Sequence, residues 1–485
     1  MYVLGIDVGT QGARALIVDA AGKVHAEANV AFAPTALVAG PAGAFEQRPH
    51  RWREAAMAAI RSAVQRFKEG GHKAEAIAAL SVTSTSGTLC LVDAAGKPLG
   101  NAIMYSDTRA SVVAEEVQAA GAELAAKLGI RFNASYGLCK LRWLQRHDPH
   151  LLARARWVLS PTDLIIGWLS GEWGQTDWTN ALKWGYDVVD LRWPSFIADA
   201  LHLPADKLPQ VGAPGRPLGH VSQEAAAATG LSLRTLVVAG CSDGNASQLA
   251  SGAASPGDWN STLGTTLVLK GVSASLLRDP LGRIYCHRHP DGYWLPGGAS
   301  STGADCLSQR FSAERLSELN ALALARSPTD LVIYPLVRRG ERFPFVVPEA
   351  EGFVLGEPED EAGYYAAHLE GLAYVERLAY EVIGELGGVV GENIYAVGGA
   401  TQSLAGLQIR ADVLAKSLCV PQVPLGAMGA AILAARGCAY AAVSEAARAM
   451  VRIRRVVPPR EEHYEAYSAR YERFLEACRQ RGYLP

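Results

Sequence analysis

No Cys-x-x-Cys pair occurs in these 485 residues, and charge of neither sign dominates. No apolar run approaches the roughly 20 residues that cross a bilayer, so no membrane span is expected. The eight cysteines, at positions 90, 139, 241, 286, 306, 419, 438 and 478, are scattered along the chain. Scattered thiols in a long chain read as small buried hydrophobes in a reducing compartment. Lys and Arg number 46 against 48 Asp and Glu, a formal net charge of −2. The broad basic footprint of a general nucleic-acid or anionic-membrane binder is therefore missing. The opening Met1-Tyr2-Val3-Leu4-Gly5-Ile6-Asp7 has no basic region and puts an acid into its first apolar run. That is unlike a secretion signal, and a cytoplasmic location is expected. Two nucleotide motifs are lacking as well: G-x-x-x-x-G-K-[ST], and a G-x-G-x-x-G following a strand. Any phosphate recognition must have another basis.

What is present begins with apolar runs at Tyr2 to Val8, Ala13 to Asp19 and Lys23 to Phe32, which read as a β-meander. Asp19 and Gly22 supply turn chemistry between the last two. Arg51 to Lys68 repeats apolar residues at helical spacing, and Ala76 to Thr83 is a strand ending in Ser84-Thr85-Ser86-Gly87. Residues 111–148 have a helical pattern. A helix is expected over Asp163 to Leu169, and Asp177 to Tyr186 is expected to be a loop. Leu236 to Gly240 is a buried strand. The second half restarts the design: Trp259 to Gly271 runs strand, Gly264-Thr265, strand, and aligning it with Gly9-Thr10 sets Asp7 opposite Thr262. Helices follow over Gly363 to Leu386 and Leu404 to Ser417, with a strand into Gly398-Gly399-Ala400 between them. The tail, Pro458 to Pro485, reads as a charged helix packing through Tyr464, Tyr467, Tyr471 and Phe474. Two α/β domains are expected, divided within the small, flexible stretch near residues 245–258.

Four clusters could carry chemistry. Asp7-Val8-Gly9-Thr10-Gln11-Gly12 is either a plain tight hairpin or a turn whose amides and Thr10 hydroxyl meet phosphate, with Asp7 placed to hold Mg²⁺. Gly264-Thr265-Thr266 repeats the device, and two such hairpins can grip one polyphosphate. Gly398-Gly399-Ala400 permits close approach to a flat ligand such as adenine. Gly240-Cys241-Ser242-Asp243-Gly244 has two readings. As G-x-S-x-G it is a nucleophile elbow with Ser242 as nucleophile. Alternatively Asp243, at a strand end and a helix start, is a general base kept ionised by the helix terminus. The elbow needs a later His and acid, and His287, His289, His368 and His463 come without supporting context. Cys286-His287-Arg288-His289 lacks a second ligand pair for a metal. Ser84 to Gly87, Tyr105-Ser106-Asp107-Thr108-Arg109 and Thr176 to Ala181 carry hydroxyls, acids and a guanidinium suited to a polyol.

Asp7 to Thr10, Asp243, Gly264 to Thr266 and Gly398 to Ala400 occur in the order and approximate spacing of the FGGY carbohydrate kinases. Lys140 to Leu144, Asp163 to Gly171, Gln408 to Asp412 and Gly426 to Ala431 resemble further segments of that family. The resemblance implies an α/β fold of two actin-like ATPase (ribonuclease-H-like) domains flanking a nucleotide and sugar cleft. Residues 1–250 would bind sugar and contact phosphate and Mg²⁺, and residues 251–485 would bind ATP. It implies ATP and Mg²⁺ as cofactors, Asp243 as catalytic base, and Asp7 with Asp243 at the metal. Sugar contacts would come from Asp7, Ser86, Asp107, Asp243 and Gly244. Nucleotide contacts would come from Thr10, Gln11, Gly12, Gly264, Thr265, Thr266, Gly303, Gly398, Gly399 and Ala400. The implied enzyme is a phosphotransferase acting on the terminal hydroxyl of a ketopentose. Thr85-Ser86-Gly87 stands where many pentulose kinases carry a His. This form, together with Tyr285 to Arg288 and Trp294 to Gly303, resembles the D-ribulose kinases, so D-ribulose to D-ribulose 5-phosphate is the expected reaction. D-xylulose is the alternative acceptor, and a serine hydrolase on Ser242 is the remote one. Partners are expected to be sugar and ATP, with neither nucleic acid nor membrane, and the late exposed helices leave room for a homodimer.

Overall fold

The computed structural model describes residues 1–33, 37, 38 and 40–485. The chain divides into two units by its internal contacts: Met1–Ala250 with His287–Gly292 and Val423–Val451, and Ser251–Cys286 with Tyr293–Gln422 and Arg452–Pro485.

In the first unit the three opening apolar runs form the strands Tyr2–Val8, Gly12–Asp19 and Val24–Ala31, paired as an antiparallel meander. The strand Ile77–Ser84 joins the other side of Tyr2–Val8 in parallel, and Leu236–Ser242 adds in parallel beyond it. Pro217–His220 closes that edge of a six-stranded sheet. Alternation along Tyr2–Val8 sends Leu4, Ile6 and Val8 into a core with Trp52, Ile60, Val64 and Phe67 of the helix Pro49–Glu69. Gly5 and Asp7 lie on the opposite face, and there the sheet is covered by the helix Gly426–Cys438. Most of that helix is Gly and Ala, which lets it approach closely. A Cβ at Gly5 would lie 1.8 Å from the Ala427 carbonyl oxygen, and one at Gly429 would lie 2.0 Å from the Ala246 oxygen.

The second unit repeats the scheme. Trp259–Leu263 and Leu267–Gly271 form the hairpin around Gly264-Thr265, and Asn393–Val397 and Ser417–Pro421 add in parallel on the Trp259 side. The sheet has seven strands, with Ile453–Val457 at one edge and Ile284–Arg288 at the other. The helices Glu361–Glu385 and Leu404–Leu414 pack together over a core that includes Trp259, Leu269, Tyr334 and Tyr374. In both units, therefore, an antiparallel hairpin with Gly-Thr at its turn is flanked by parallel strands, and Thr262 occupies the place of Asp7.

Several elements depart from expectation. The helical stretch over 111–148 is broken into Ala114–Ala120, Ala122–Leu128 and Gly137–His147. The second piece ends because Gly129 takes a left-handed conformation, φ 65°. Asp177 to Tyr186 is a short helical turn, since the Asp177 carboxylate caps Trp178–Ala181 through the amides of Thr179 and Asn180. The helix from Leu404 stops at Leu414, with Ala415 left-handed. In the C-terminal helix Tyr464–Gln480, Tyr467, Tyr471 and Phe474 are buried as expected. Tyr464 is 44% exposed, because its first-turn position lies beyond the core edge, beside the Arg377 guanidinium. Seven cysteines are buried, and Cys438 is exposed at the end of its helix. Among the described residues no helix is long and apolar enough to cross a membrane, and no group of three or more metal-ligating side chains occurs.

Candidate active site

The parallel register of the first unit does most of the assembly. Val8 is level with Ser84, and Ser84 is level with Ser242, so three strands end at one edge of the sheet. The segments leaving that edge are Gly9 to Gly12, Thr85 to Gly87 and Asp243 to Asn245. Stretches scattered over about 240 residues of sequence thereby become neighbours. In parallel α/β sheets the carboxyl ends of the strands are where ligands bind, because loops and helix N-termini face outward there.

Asp7 and Asp243 meet at this edge. Asp7 is partly buried, with the first residue of the helix Gly426–Cys438 beside it: a Cβ at Gly426 would lie 2.6 Å from Asp7 Oδ2. Burial first, then the negative charge of Asp243, pushes the Asp7 carboxyl up to about 6, with Arg14 opposing the shift. Asp243 is the first residue of the helix Asp243–Ser251, and its Oδ1 accepts the Gly244 amide at 2.7 Å.

The backbone just before Asp243 is held by a relay. The Ser242 amide donates to Thr179 Oγ1 at 2.9 Å, and Thr179 Oγ1 donates to Asp177 Oδ1. Asp177 also accepts the amides of Thr179 and Asn180 and the side-chain amide of Asn180. Asp177 and Asp163 are both buried. Burial, then the charge of Asp177, raises Asp163 to about 7. Ser242 itself is 2% exposed, and its hydroxyl accepts Asn245 Nδ2 at 2.6 Å. A serine sealed in the core by an asparagine amide is not a nucleophile elbow, and the hydrolase alternative is excluded by that geometry.

The hairpin Asp7 to Gly12 is closed by Gly9 N–H donating to the Gly12 carbonyl at 3.0 Å. The Thr10 and Gln11 carbonyls accept from Gln47 Nε2 and the Phe32 amide, so the turn is anchored from behind. A Cβ at Gly9 would meet nothing within 4 Å, leaving its open side free for a ligand.

The polyol-suited segments also converge. Gly87 takes φ 76°, and a Cβ there would lie 2.3 Å from the Ser135 carbonyl oxygen. Thr88 Oγ1 receives the Tyr105 amide at 3.2 Å. The fully buried Lys140 donates to the carbonyls of Ala134 and Tyr105, tying the two loops together. Burial holds its ammonium down at about 8 while Asp107 pulls the other way. Ser86 is the partly exposed residue of its segment. Asp107 is 1% exposed, and its carboxylate receives the Phe45 amide, the Arg109 amide and the Arg109 guanidinium.

In the second unit the hairpin Gly264 to Thr266 rests on the loop Ser300 to Gly303. Leu267 N–H donates to the Thr302 carbonyl, and Ala304 N–H donates to that of Gly264, both at 2.8 Å. A Cβ at Gly303 would lie 2.2 Å from the Thr265 oxygen. Gly398, at φ 90°, presses as closely on Leu263, and a Cβ at Gly399 would meet nothing within 4 Å. Next to Gly399 and Ala400 opens a cavity of about 300 Å³, lined largely by apolar groups of Leu263, Leu316, Tyr365 and Leu372. Its polar rim is preassembled, with Asn320 Oδ1 accepting from the Tyr365 and Ser403 hydroxyls.

Sequence reasoning reached the hairpins, Asp243 and the diglycine through turn chemistry. It missed the roles of Thr179 and Lys140, each of which joins a near neighbour to a distant segment, at Ser242 and Tyr105, that no local spacing signals.

A duplicated α/β unit with a Gly-Thr hairpin and a carboxylate at its sheet edge defines the actin-like (ribonuclease-H-like) ATPase class. Comparison with known proteins narrows this. The N-terminal domain model of the FGGY family of carbohydrate kinases matches residues 2–250, and the C-terminal domain model matches residues 260–438. The chain is 26% identical to a xylulose kinase of Escherichia coli, over 99% of both chains. It is 24% identical to a xylulose kinase of Bacillus subtilis, over 97% of this chain and 95% of that one. The solved structure of a xylulose kinase from Rhodospirillum rubrum superimposes with a TM-score of 0.86 at 27% identity, covering 99% of each chain. The chain belongs to the FGGY family of carbohydrate kinases, and it is a phosphotransferase with an alcohol group as acceptor.

Proposed function

We propose that this kinase transfers the γ-phosphoryl group of ATP to the terminal hydroxyl of a ketopentose, with D-xylulose as the acceptor best supported. The observation that carries the reaction is Asp243 at the helix start, at the shared end of three parallel strands, with its preceding amide anchored by Thr179. There it orients the sugar hydroxyl and accepts its proton late in transfer, since an ordinary carboxylate is a weak base for an alcohol. Asp7 and Asp243 fit a divalent cation: burial, and then the charge of Asp243, disfavours the ionised Asp7, and a shared positive charge would relieve both. Mg²⁺ held there would neutralise charge on the phosphates as the bond to the leaving group loosens. The first unit supplies the sugar contacts through Ser86, Asp243 and Gly244, and the phosphate contacts through Thr10, Gln11 and Gly12. Asp107 acts indirectly, by holding the 105–109 loop with Arg109. The second unit supplies the nucleotide contacts: Gly264, Thr265, Thr266 and Gly303 for phosphate, and Gly398, Gly399 and Ala400 for the base in the apolar cavity. Such an enzyme works in the cytoplasm, where both substrates are found.

The expectation of D-ribulose gives way to xylulose because the two relatives and the solved structure described above are named xylulose kinases. D-ribulose stays as the second reading on one observation: Ser86, not His, presents the accessible group of its segment. ADP release with Mg-ATP against D-xylulose, D-ribulose, L-ribulose, glycerol and no sugar tests both. Release with D-xylulose, lowered about 10²–10⁴-fold by Asp243→Ala, is the expected result. Release with D-ribulose instead keeps the kinase and reverses the choice of sugar. Near-normal turnover by Asp243→Ala would remove Asp243 from the role of base.

A further inference from the structure

Glu341 is 3% exposed, and six donors converge on its carboxylate. They are the hydroxyls of Ser300, Thr302 and Tyr334, at 2.8, 2.9 and 2.7 Å, and the amides of Ser301, Arg342 and Phe343, at 2.6, 2.9 and 3.4 Å. The three amides can only donate and the three hydroxyls are able to donate, so the enclosure suits a carboxylate, which only accepts. Burying a carboxylate this way is costly until its hydrogen bonds offset the lost hydration. Three of the donors come from consecutive residues, Ser300 to Thr302. That same loop brackets the Gly264 to Thr266 hairpin from below. Ser300 N–H donates to the Leu267 carbonyl at 2.9 Å, Leu267 N–H donates to the Thr302 carbonyl, and Gly303 touches Thr265 so closely that no side chain fits. The far side of the hairpin is open, since a Cβ at Gly264 would meet nothing within 4 Å.

We infer that Glu341 is the positioning residue of the phosphate-binding hairpin. It fixes the Ser300 to Gly303 loop, and the loop fixes Gly264 to Thr266. The inference rests on the proposed assignment of that hairpin to phosphate. Backbone donors hold a phosphate only when placed to within about 0.5 Å, and a loop of small residues has no packing of its own to keep it there. Charge alone argues the opposite way: a buried anion beneath a polyphosphate site repels the ligand. The two effects therefore predict opposite signs for the same substitution.

The test uses the full chain and the ligand series adenosine, AMP, ADP and ATP with Mg²⁺, with dissociation constants measured by calorimetry alongside KM for ATP and for sugar. Glu341→Gln keeps the shape and removes the charge, turning an amide donor toward the converging donors. It is expected to weaken ADP and ATP binding about tenfold or more while adenosine affinity and sugar KM stay within about twofold. A residue that serves stability alone would lower the melting temperature and leave the gain from each added phosphate unchanged. If Glu341→Gln does not fold, the paired substitution Ser300→Ala with Thr302→Val, which removes two of the loop's three bonds to Glu341 and leaves the other donors, is expected to show the same selective loss. An unchanged phosphate increment in the folded variant, or tighter ATP binding, overturns the inference. Gly303→Ala, which drives a methyl into Thr265, separates the two claims. If it weakens the phosphate increment and Glu341→Gln does not, the positioning role falls alone. If neither moves the increment, the phosphate assignment of the hairpin falls, and the role of Glu341 with it.

Discussion

Thr179 shows how a residue can bear on a reaction it does not touch. Its hydroxyl accepts the Ser242 amide and donates to Asp177, which holds the strand end from which Asp243 projects. Thr179→Val keeps the volume and leaves that buried amide without a partner, at a cost of about 1–3 kcal/mol. The expected outcome is a kcat lowered roughly 10–100-fold with both KM values little changed, because misplacement of a catalytic group by fractions of an ångström acts on the transition state. Thr179→Ser, which retains the hydroxyl, should recover most of the rate. Steady-state kinetics on the two variants decide it, and equal losses in both would reject the relay. The sequence showed the hydroxyls of residues 176–181 without their purpose. It left Ser242 and Asp243 as rival readings, because G-x-S-x-G and a strand-end aspartate look alike until the burial of each side chain is known. Asp107 was legible as an acid in a polar loop, but its consumption by Arg109 and the Phe45 amide was not.

At the scale of elements, local patterning named most strands and helices correctly, since alternation and 3.6-residue spacing are written into neighbouring residues. Breaks inside helical patterns were harder to see: Gly129 and Ala415 end helices through left-handed backbone, which periodicity does not register. Small residues distinguish contact from exposure. Gly5→Ala pushes a methyl to 1.8 Å from the Ala427 oxygen, so the strand Tyr2–Val8 or the helix Gly426–Cys438 must move. A loss of about 3 kcal/mol or more in urea denaturation is expected. Gly384, exposed within the helix Glu361–Glu385 with nothing around it, should respond oppositely. Gly384→Ala is expected to add about 0.5–1 kcal/mol in the same assay. The same helix carries a pH-sensitive group. Glu370 is fully buried against the Thr329 amide and hydroxyl, and burial pushes its carboxyl up from 4.5 to about 7. A folded pKa above the unfolded one favours the folded state fully below pH 4.5, and that advantage is lost as pH rises through about 7. Glu370→Gln stays neutral throughout, so its stability should match the parent at pH 4–5 and exceed it at pH 8 by on the order of 3 kcal/mol, read as a higher melting temperature there. Thermal melts across that range check it, and a constant difference between the two proteins would rule it out.

For the whole molecule, the duplicated hairpin and sheet put a Gly-Thr turn in each unit and the strand-end carboxylate of Asp243 in one. Water competes with the sugar hydroxyl for the γ-phosphoryl, and enzymes of this chemistry gain from excluding it. ADP release without sugar should therefore be slower than with the accepted pentulose by about 10²-fold or more. Fast sugar-independent release in a coupled assay would instead indicate an ATPase switch on the same fold. Residue order alone settled the repeated strand–Gly-Thr–strand plan, the diglycine turn and Asp243 as a strand-end acid, each resting on turn chemistry or apolar period within a dozen residues, and the membership of the family, which rests on the order and spacing of those motifs along the chain. Long-range packing settled the rest. It laid the helix Gly426–Cys438 on the first sheet through Gly5 and against the helix Asp243–Ser251 through Gly429, and brought Val8, Ser84 and Ser242 level at one edge. It also sealed Ser242 in the core and gathered six donors around Glu341. Those outcomes depend on which backbones approach within van der Waals distance across hundreds of residues, and no local spacing encodes that.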